Sequence, residues 1–314
     1  MGAPVPRVGR AVRFDEHGDV DVLYVAEVPL PELGASELLV KVHAAGVNPG
    51  EIAIRAGAIM STFPTTFPSG EGTDFAGVAV ELGAGTSGFI LGEAVVGWSE
   101  RRSSHAEYVI VPDGHLVRKP DELSWEVAGS LFIAGVTAFA AARAVQAQHG
   151  ETVVVSSAAG GVGSIVVQLL TAQGARVIGI ASEPNHEWLA SVGVTPVGYA
   201  ATGLAERIRA IAPAGVDALV DTHGAEYLDL AIKLGVPPER INTVAAFQAA
   251  TRIGAKTDGA RVASNAETLG KVVDLVATGT GSVQIEATYS LDDVREAYAE
   301  LAKRHSRGKI VLIP

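Results

Sequence analysis

Residues Thr152–Gly163 read TVVVSSAAGGVG. The β-branched run Val153–Val155 predicts a short buried strand. The small residues after it predict a tight turn, and Ile165, Val166, Leu169 and Leu170 an apolar helix face. Within the turn, Ala158, Gly160 and Gly163 stand at the spacing of a dinucleotide fingerprint, with alanine in the first position. The spacing has a mechanical reason. Small residues permit the strand-to-helix turn, and a backbone free of Cβ lets a pyrophosphate approach. The helix N-terminus then offers unpaired N–H groups and the positive end of its dipole. A plain tight turn would use similar residues. The strand before and the helix after favour a nucleotide site built from Ala158, Gly160, Gly161, Val162 and Gly163.

Outward from that turn, apolar strands alternate with helical patterns. Helices are predicted at Val127–Ala147, Val162–Gln173, Asn185–Val192, Leu204–Ile211 and Glu226–Leu234. Strands are predicted at Thr152–Ser156, Arg176–Ala181, Pro196–Gly198, Ala218–Asp221 and Ile241–Val244. This is the pattern of an α/β domain, a parallel sheet covered by helices on both faces. Residues 1–123 read differently. Short β-branched runs recur at Leu38–Val42, Gly77–Leu82, Ala94–Trp98 and Glu107–Val111, separated by Gly, Pro and Asp/Ser clusters. The tail predicts a helix at Ala266–Ala277, a strand at Val283–Ala287, a helix at Leu291–His305 with Ser290 as N-cap, and a last strand at Lys309–Ile313.

Composition narrows the function classes. The 314 residues suffice for two domains with sizeable cores. A hydrophobic content of 48% with 19% charged residues describes a globular chain. The net charge of −11 disfavours binding to a phosphate backbone, so no nucleic-acid partner is expected. No apolar run reaches the roughly 18–20 residues that span a bilayer. The start, MGAPVPRVGRAVRF, lacks the apolar core of a signal peptide, so the expected location is cytoplasmic. The chain has no cysteine, which excludes disulfides and thiol catalysis and removes the usual soft zinc ligands.

Motifs along nearly the whole chain resemble the medium-chain dehydrogenase/reductase superfamily, and within it the zinc-independent quinone oxidoreductase branch. They are AAGVNP at 44–49, GTDFAGVAVELG at 72–83, AEYVIVP at 106–112, AGVTA at 134–138, AAGGVG at 158–163, VDALVDTHG at 216–224 and RGKIVLIP at 307–314. The resemblance implies a GroES-like β-rich catalytic domain (1–123, completed by 255–314) and a Rossmann domain (124–254), with the active site in the cleft between them. In the superfamily's zinc alcohol dehydrogenases a Cys, a His and a Cys hold the catalytic metal. By motif alignment those positions fall here on Asn48, Thr73 and Ile133. No two histidines pair at metal-ligand spacing either, so no metal is expected. Without a Lewis acid, oxidation of an unactivated alcohol loses its main stabilisation of the alkoxide. Hydride delivery to a quinone, or to an alkene conjugated to a carbonyl, needs no such help.

The second strand of the Rossmann unit, RVIGIA, ends at Ala181, followed by Ser182. Enzymes specific for NAD place an acid there for the ribose hydroxyls. A small neutral pair leaves room for a 2′-phosphate and favours NADP(H). Glu183 is either a solvated loop residue or, one place out of register, that acid. The resemblance implies further cofactor contacts. Asn185 stands near where the family often has a lysine. Tyr199 lines the same pocket, and Arg304 either supplies the missing cation or is a solvated helix-end charge. Thr137 lies beside the nicotinamide, unless it is a helix-interior threonine bonded to a preceding carbonyl. Val244 and Phe247 flank the carboxamide. Lys309 reaches the phosphates, unless it is an exposed residue at a strand start. Asp221 and Thr222 end a strand at the cleft.

The implied reaction moves a hydride to an electron-poor carbon and then a proton. Asn48 is the polar candidate for a ribose or substrate contact, its other reading being a turn residue before Pro49. Many quinone oxidoreductases carry a tyrosine five places further on; here Ala53 stands there, and the general acid is unidentified. His43, His105 and Tyr108 are candidate donors, Tyr108 being otherwise a packing residue of the AEY strand; Glu51 takes the place of a family aspartate or supports the fold; and water can also supply the proton. Met60, Phe63 and Phe67 form either an apolar wall of the substrate mouth or domain core. Two other functions compete: an enoyl-thioester reductase, for which Arg101 and Arg102 are the nearest basic cluster, and a non-catalytic NADPH-binding protein. The partner expected is a small electrophile, and the family's homodimer would join sheet edges along Ile241–Ala246.

Overall fold

Antiparallel pairing builds most of the first unit of the computed structural model, which describes residues 7–304 and 307–314. Strand β1 (Val8–Phe14) lies between β2 (Tyr24–Pro29) and the short β4 (Ser69–Gly70). Strand β3 (Glu37–Val47) leads into helix α1 (Pro49–Arg55). It pairs with β5 (Asp74–Leu82) on one side, followed by β6 (Ala94–Trp98) and β8 (Leu116–Arg118). Strand β7 (Tyr108–Pro112) also pairs with β3. Inward alternation gathers Leu38, Val40, Val42, Phe75, Val95, Val109 and Val111 into one core.

The expected long helix at Val127–Ala147 is broken in two. Helix α2 (Trp125–Ala128) stops at Gly129, and α3 (Phe132–Ala144) begins after Leu131. The break has a tertiary cause. The Gly129 carbonyl accepts the Gly46 N–H at 2.8 Å, and a Cβ on Gly129 would sit 2.4 Å from the Ala44 carbonyl oxygen. Residues 124–133 therefore belong with the first unit, ten residues beyond the boundary expected from sequence.

The second unit alternates strand and helix. It comprises β9 (Thr152–Val155), α4 (Gly163–Ala172), β10 (Arg176–Ala181), α5 (His186–Ser191), β11 (Thr195–Gly198), α6 (Leu204–Ile211), β12 (Ala218–Asp221), α7 (Ala225–Leu234), β13 (Ile241–Thr243), α8 (Phe247–Ile253) and α9 (Ala260–Ala263). All pairings are parallel, in the order β11-β10-β9-β12-β13. That order is the doubly wound, dinucleotide-binding arrangement, with its switch point beside β9. Ile178, Ile180, Leu219 and Ile241 pack against Ile208, Leu228 and Ala231 on one face. The outer edge of β13 is not free. Lys256 pairs with Asn242, accepts from Thr243 N and donates to the Ile241 carbonyl. The expected open edge at Ile241–Ala246 is thus already hydrogen-bonded over its strand part. The unit extends to 264 and includes 278–283, where Gln168 is bonded to Ser282.

The tail returns to the first unit through α10 (Ala266–Ala277), β14 (Ile285–Ser290), α11 (Val294–Ala302) and β15 (Lys309–Ile313). Strand β15 is antiparallel to β3, with Ile310 opposite Val47. Leu291, Val294, Ala297, Tyr298, Ile310 and Leu312 share a core with Val12, Phe14, Leu23 and Val47. The last helix is shorter than Leu291–His305: a single 3-10 turn, Leu291–Asp293, precedes α11, and His305 lies outside the described residues. Ser290 caps that turn by position, but its hydroxyl bonds the Asp293 carboxylate at 2.6 Å rather than a backbone N–H.

Candidate active site

The turn after β9 has the close approaches that a phosphate cradle requires. Ser157 takes a left-handed conformation, with φ 45°. A Cβ on Gly163 would lie 2.2 Å from the Ser157 carbonyl oxygen, and one on Gly160 2.8 Å from the Ser157 hydroxyl. Ala158 is fully buried, and its N–H is spent on the Ile180 carbonyl. Gly161, Val162 and Gly163 stand at the amino end of the ten-residue α4, where a helix leaves its N–H groups unpaired. These residues fit a dinucleotide pyrophosphate.

Asp221, expected to point its chemistry at the cleft, turns inward instead. Its carboxylate is fully buried and ties three strand ends together. Oδ1 accepts from Ser156 Oγ (2.6 Å) and from the N–H groups of His223 and Gly224, while Oδ2 accepts from Thr243 Oγ1 (2.6 Å). Ser156 precedes the glycine-rich turn, and Thr243 in turn accepts from Ala245 N and Ala246 N. Asp221 thereby fixes both the turn and the segment that carries Val244. Thr137 is buried on α3, and its hydroxyl makes no hydrogen bond among the described residues. It is thus not bonded to a preceding carbonyl, unlike Thr171, which reaches Val167 O at 2.8 Å. Gly259, which sequence reading missed, joins two expected contacts: a Cβ there would lie 3.6 Å from Val244 Cγ1 and 3.7 Å from Thr137 Cγ2. Phe247 opens α8 and is exposed.

At the end of β10, Ala181 is buried, and Ser182 accepts a hydrogen bond from Asn185 Nδ2 at 2.9 Å. Glu183 lies two residues past the strand and is exposed. Ser182, Glu183, His186, Tyr199 and Arg207 line one open groove. Arg207 was not anticipated. Arg304 lies two residues past the end of α11, with φ 56°, and is exposed.

The first unit holds a buried polar cluster. The register of β15 on β3 brings Lys309 to Asn48. Its ammonium donates to Asn48 Oδ1 and to the Val47 carbonyl (3.2 Å), and the residue is 4% exposed. Lys309, expected either to reach the cofactor phosphates or to lie exposed at a strand start, is instead buried with its ammonium engaged by Asn48 and the Val47 carbonyl. Asn48 is itself buried at the start of α1, with its N–H donating to Glu51 Oε2 at 2.8 Å. Glu51 also accepts from Thr73 N (3.0 Å) and from the Tyr298 hydroxyl (2.8 Å). Its carboxylate pins α1, β5 and α11 together. Asp74 is fully buried; Oδ1 accepts from Ile133 N at 3.1 Å and Oδ2 has no partner. Burial pushes Asp74 up to about 7 against the pull of Lys309, while burial lowers Lys309. Deeper in the cluster, Arg55 pairs with Glu71 and sits 4.4 Å over the Tyr298 ring. Burial drives Glu71 to about 8, with Arg55 opposing. Arg55, Glu71 and Tyr298 went unremarked in the sequence. The one cue was a tyrosine on the apolar stripe of the last helix, where a buried hydroxyl requires a partner.

The positions aligned with zinc ligands do converge. Asn48 and Thr73 both donate backbone N–H groups to Glu51, and Ile133 donates to Asp74 beside them. The donor set is an amide, a hydroxyl and an alkyl group, which does not fit zinc. No group of three His, Cys, Asp or Glu suited to a metal occurs among the described residues. His105 Nε2 lies 3.1 Å from the Gly46 carbonyl and His43 stacks on Trp125 at 4.4 Å; burial lowers both pKa values. Met60, Phe63 and Phe67 are 51%, 45% and 43% exposed, so they are not core. Arg101 is paired with Glu37, and Arg102 is bonded to Thr65 and to the Pro64 carbonyl. No helix among the described residues is long and apolar enough to cross a membrane.

The chain resembles known proteins along most of its length. Residues 34–121 match the alcohol dehydrogenase GroES-like domain, and residues 194–312 match a model described as zinc-binding dehydrogenase. A quinone oxidoreductase from Rattus norvegicus is 32% identical over 233 residues, covering 72% of this chain and 69% of that protein. An Arabidopsis thaliana chloroplastic protein named NADPH-dependent alkenal/one oxidoreductase is 28% identical over 334 residues, covering 99% of this chain and 81% of its own. The quinone oxidoreductase structure from Coxiella burnetii superposes with a TM-score of 0.85 at 28% identity, covering 98% of this chain and 99% of that one. The chain belongs to the medium-chain dehydrogenase/reductase superfamily, in its quinone oxidoreductase branch.

Proposed function

We propose that this oxidoreductase delivers a hydride from NADPH to a quinone or an α,β-unsaturated carbonyl, with no metal in the reaction. The observation that carries the reading is the donor set at the three converging positions, Asn48, Thr73 and Ile133. It offers hydrogen bonds and no Lewis acid. A substrate that is already electrophilic does not require one. When bound, the reduced nicotinamide supplies the hydride.

The chain's own residues orient and shield. Gly160–Gly163 hold the pyrophosphate at the α4 terminus, and Thr137 and Val244 contact the nicotinamide end, positioned through Gly259 and Asp221. Lys309 fixes the Asn48 amide by its hydrogen bond to Oδ1, leaving Nδ2, at 3.4 Å from Glu51, as the donor for substrate or ribose. The exposed Met60, Phe63 and Phe67 offer a flat ring or alkyl chain an apolar wall. Phe67 is braced edge-on by Phe14 and His17. The proton comes from water, and no single side chain is essential as its donor. We also propose a cytoplasmic homodimer, to be measured by light scattering. With β13 already paired to Lys256, the sheet edge offered to a partner runs through residues 255–257.

The test is NADPH oxidation across a panel of 1,4-quinones, enals, enones and enoyl-CoA thioesters. Turnover of quinones or enones at least about tenfold above the thioesters in kcat/KM supports the reading. Turnover of thioesters alone, or binding without turnover across the panel, overturns it.

A further inference from the structure

We propose that Arg207 is the cation that receives the 2′-phosphate of NADPH. The inference rests on the NADPH reading above and assigns the residue that enforces it. A Rossmann site distinguishes the two cofactors at the end of its second strand, where an acid serves the ribose hydroxyls of NAD and a nearby arginine the 2′-phosphate of NADP. Here that strand ends at the buried Ala181, which pairs with Gly198 of β11.

Arg207, in the first turn of α6, spans the loop that follows Gly198. Its Nη2 donates to the Gly198 and Ala201 carbonyls, both at 2.8 Å. Those two bonds hold the guanidinium at the groove that Ser182 and Tyr199 also line. His186 closes the same site. Its Nε2 lies 3.3 Å from the Ala181 carbonyl, and a Cβ on Gly198 would be 3.7 Å from its ring.

Arg207 is unneutralised. No carboxylate lies within 4.0 Å of it among the described residues, whereas its neighbour Arg209 reaches Glu206 at 3.6 Å. Its Nε is buried without a hydrogen-bond partner. A half-buried guanidinium with no counter-charge is costly unless an anion completes it. Two carbonyls occupy Nη2 and Nε is shut off from solvent, which leaves Nη1 to donate to a phosphate oxygen in a charge-assisted bond. Glu183 is exposed in the same groove and carries the phosphate's sign, so a dianion is accepted there only if a fixed cation outweighs it.

The test is equilibrium binding, by calorimetry, of NADPH, NADH and adenosine 2′,5′-bisphosphate to the whole purified chain. The last probe carries the phosphate and no nicotinamide. Wild type should bind NADPH more tightly than NADH. Arg207→Met should weaken NADPH and the bisphosphate at least about tenfold, as loss of a charge-assisted pair requires, and leave NADH unchanged. Arg207→Lys should recover part of the loss. A wild-type preference for NADPH that Arg207→Met leaves intact overturns the assignment and spares the cofactor reading. Equal weakening of NADPH and NADH gives Arg207 a purely structural role and also overturns it. Tighter NADH binding by wild type overturns the cofactor reading itself, and this assignment with it.

Discussion

Asp221→Asn is close to isosteric, and the structure says it is not conservative. The two hydroxyls facing the carboxylate cannot turn round to suit an amide. Thr243 Oγ1 donates to Asp221 Oδ2 and already accepts from Ala245 N (3.1 Å) and Ala246 N (2.9 Å). Ser156 Oγ donates to Oδ1 and already accepts from Thr222 N at 2.8 Å. An asparagine oriented to keep the three Oδ1 contacts therefore aims an NH₂ at the Thr243 hydroxyl, whose acceptor sites are taken. The flipped rotamer aims it at three donors, which is worse. One charge-assisted bond is lost and one buried donor is left unpaired, about 2–4 kcal/mol together. Urea unfolding of the variant, followed with and without NADPH, reads this as a lower midpoint at unchanged slope. Because the same carboxylate anchors the residue before the glycine-rich turn and the one before Val244, NADPH affinity should fall as well. A second variant, Thr243→Val, should lose a similar amount, and the double variant less than the sum. A change under about 0.5 kcal/mol in Asp221→Asn would refute the argument.

The other expectations are briefer. Gly163→Ala forces a Cβ to 2.2 Å from the Ser157 carbonyl oxygen, so the turn must open. Calorimetry should show loss of dinucleotide binding with roughly 1–3 kcal/mol of destabilisation. Burial raises Asp74 from its ordinary value to about 7, so the folded chain binds this proton more tightly than the unfolded one. Its contribution to stability is complete below about pH 4 and declines as pH rises to about 7, by at most about 4 kcal/mol. Asp74→Asn should flatten that decline in denaturation midpoints taken across the window, and an unchanged slope would contradict it. Single replacements of Glu51, His43, His105 and Tyr108 should each lower kcat of the folded protein by less than about a thousandfold; a larger loss would identify a general acid.

The parallel sheet was readable because its signals are local: a β-branched run, a small-residue turn and a helix period occur within twenty residues of one another. The glycine-rich turn was readable for the same reason, since Gly160 and Gly163 serve a geometry set by their immediate neighbours. Features made by distant partners were not. Nothing in the run from Val127 to Ala147 reveals that Gly129 must accept a hydrogen bond from Gly46 and stop the helix. A lysine at a strand start reads as a phosphate contact or as a solvated charge until the register of β15 on β3 sets it beside Asn48. Asp221 at a strand's carboxyl end reads as a cleft residue, and only the hydroxyls of Ser156 and Thr243 draw it inward. Arg207 follows the second strand by more than twenty residues, and β11 returns it to that strand's end. The pairing of Lys256 with β13 is likewise invisible in the apolar run that predicts the strand.

Everything proposed for the chemistry turns on hydride transfer without a Lewis acid, because the positions aligned with zinc ligands carry Asn48, Thr73 and Ile133. The decisive experiment strips the protein with a strong chelator, verifies metal content by elemental analysis, and follows NADPH consumption with a simple 1,4-quinone. Undiminished kcat in metal-free protein, unaffected by added zinc, is the predicted result. Activity that vanishes with the metal and returns with zinc would contradict the account.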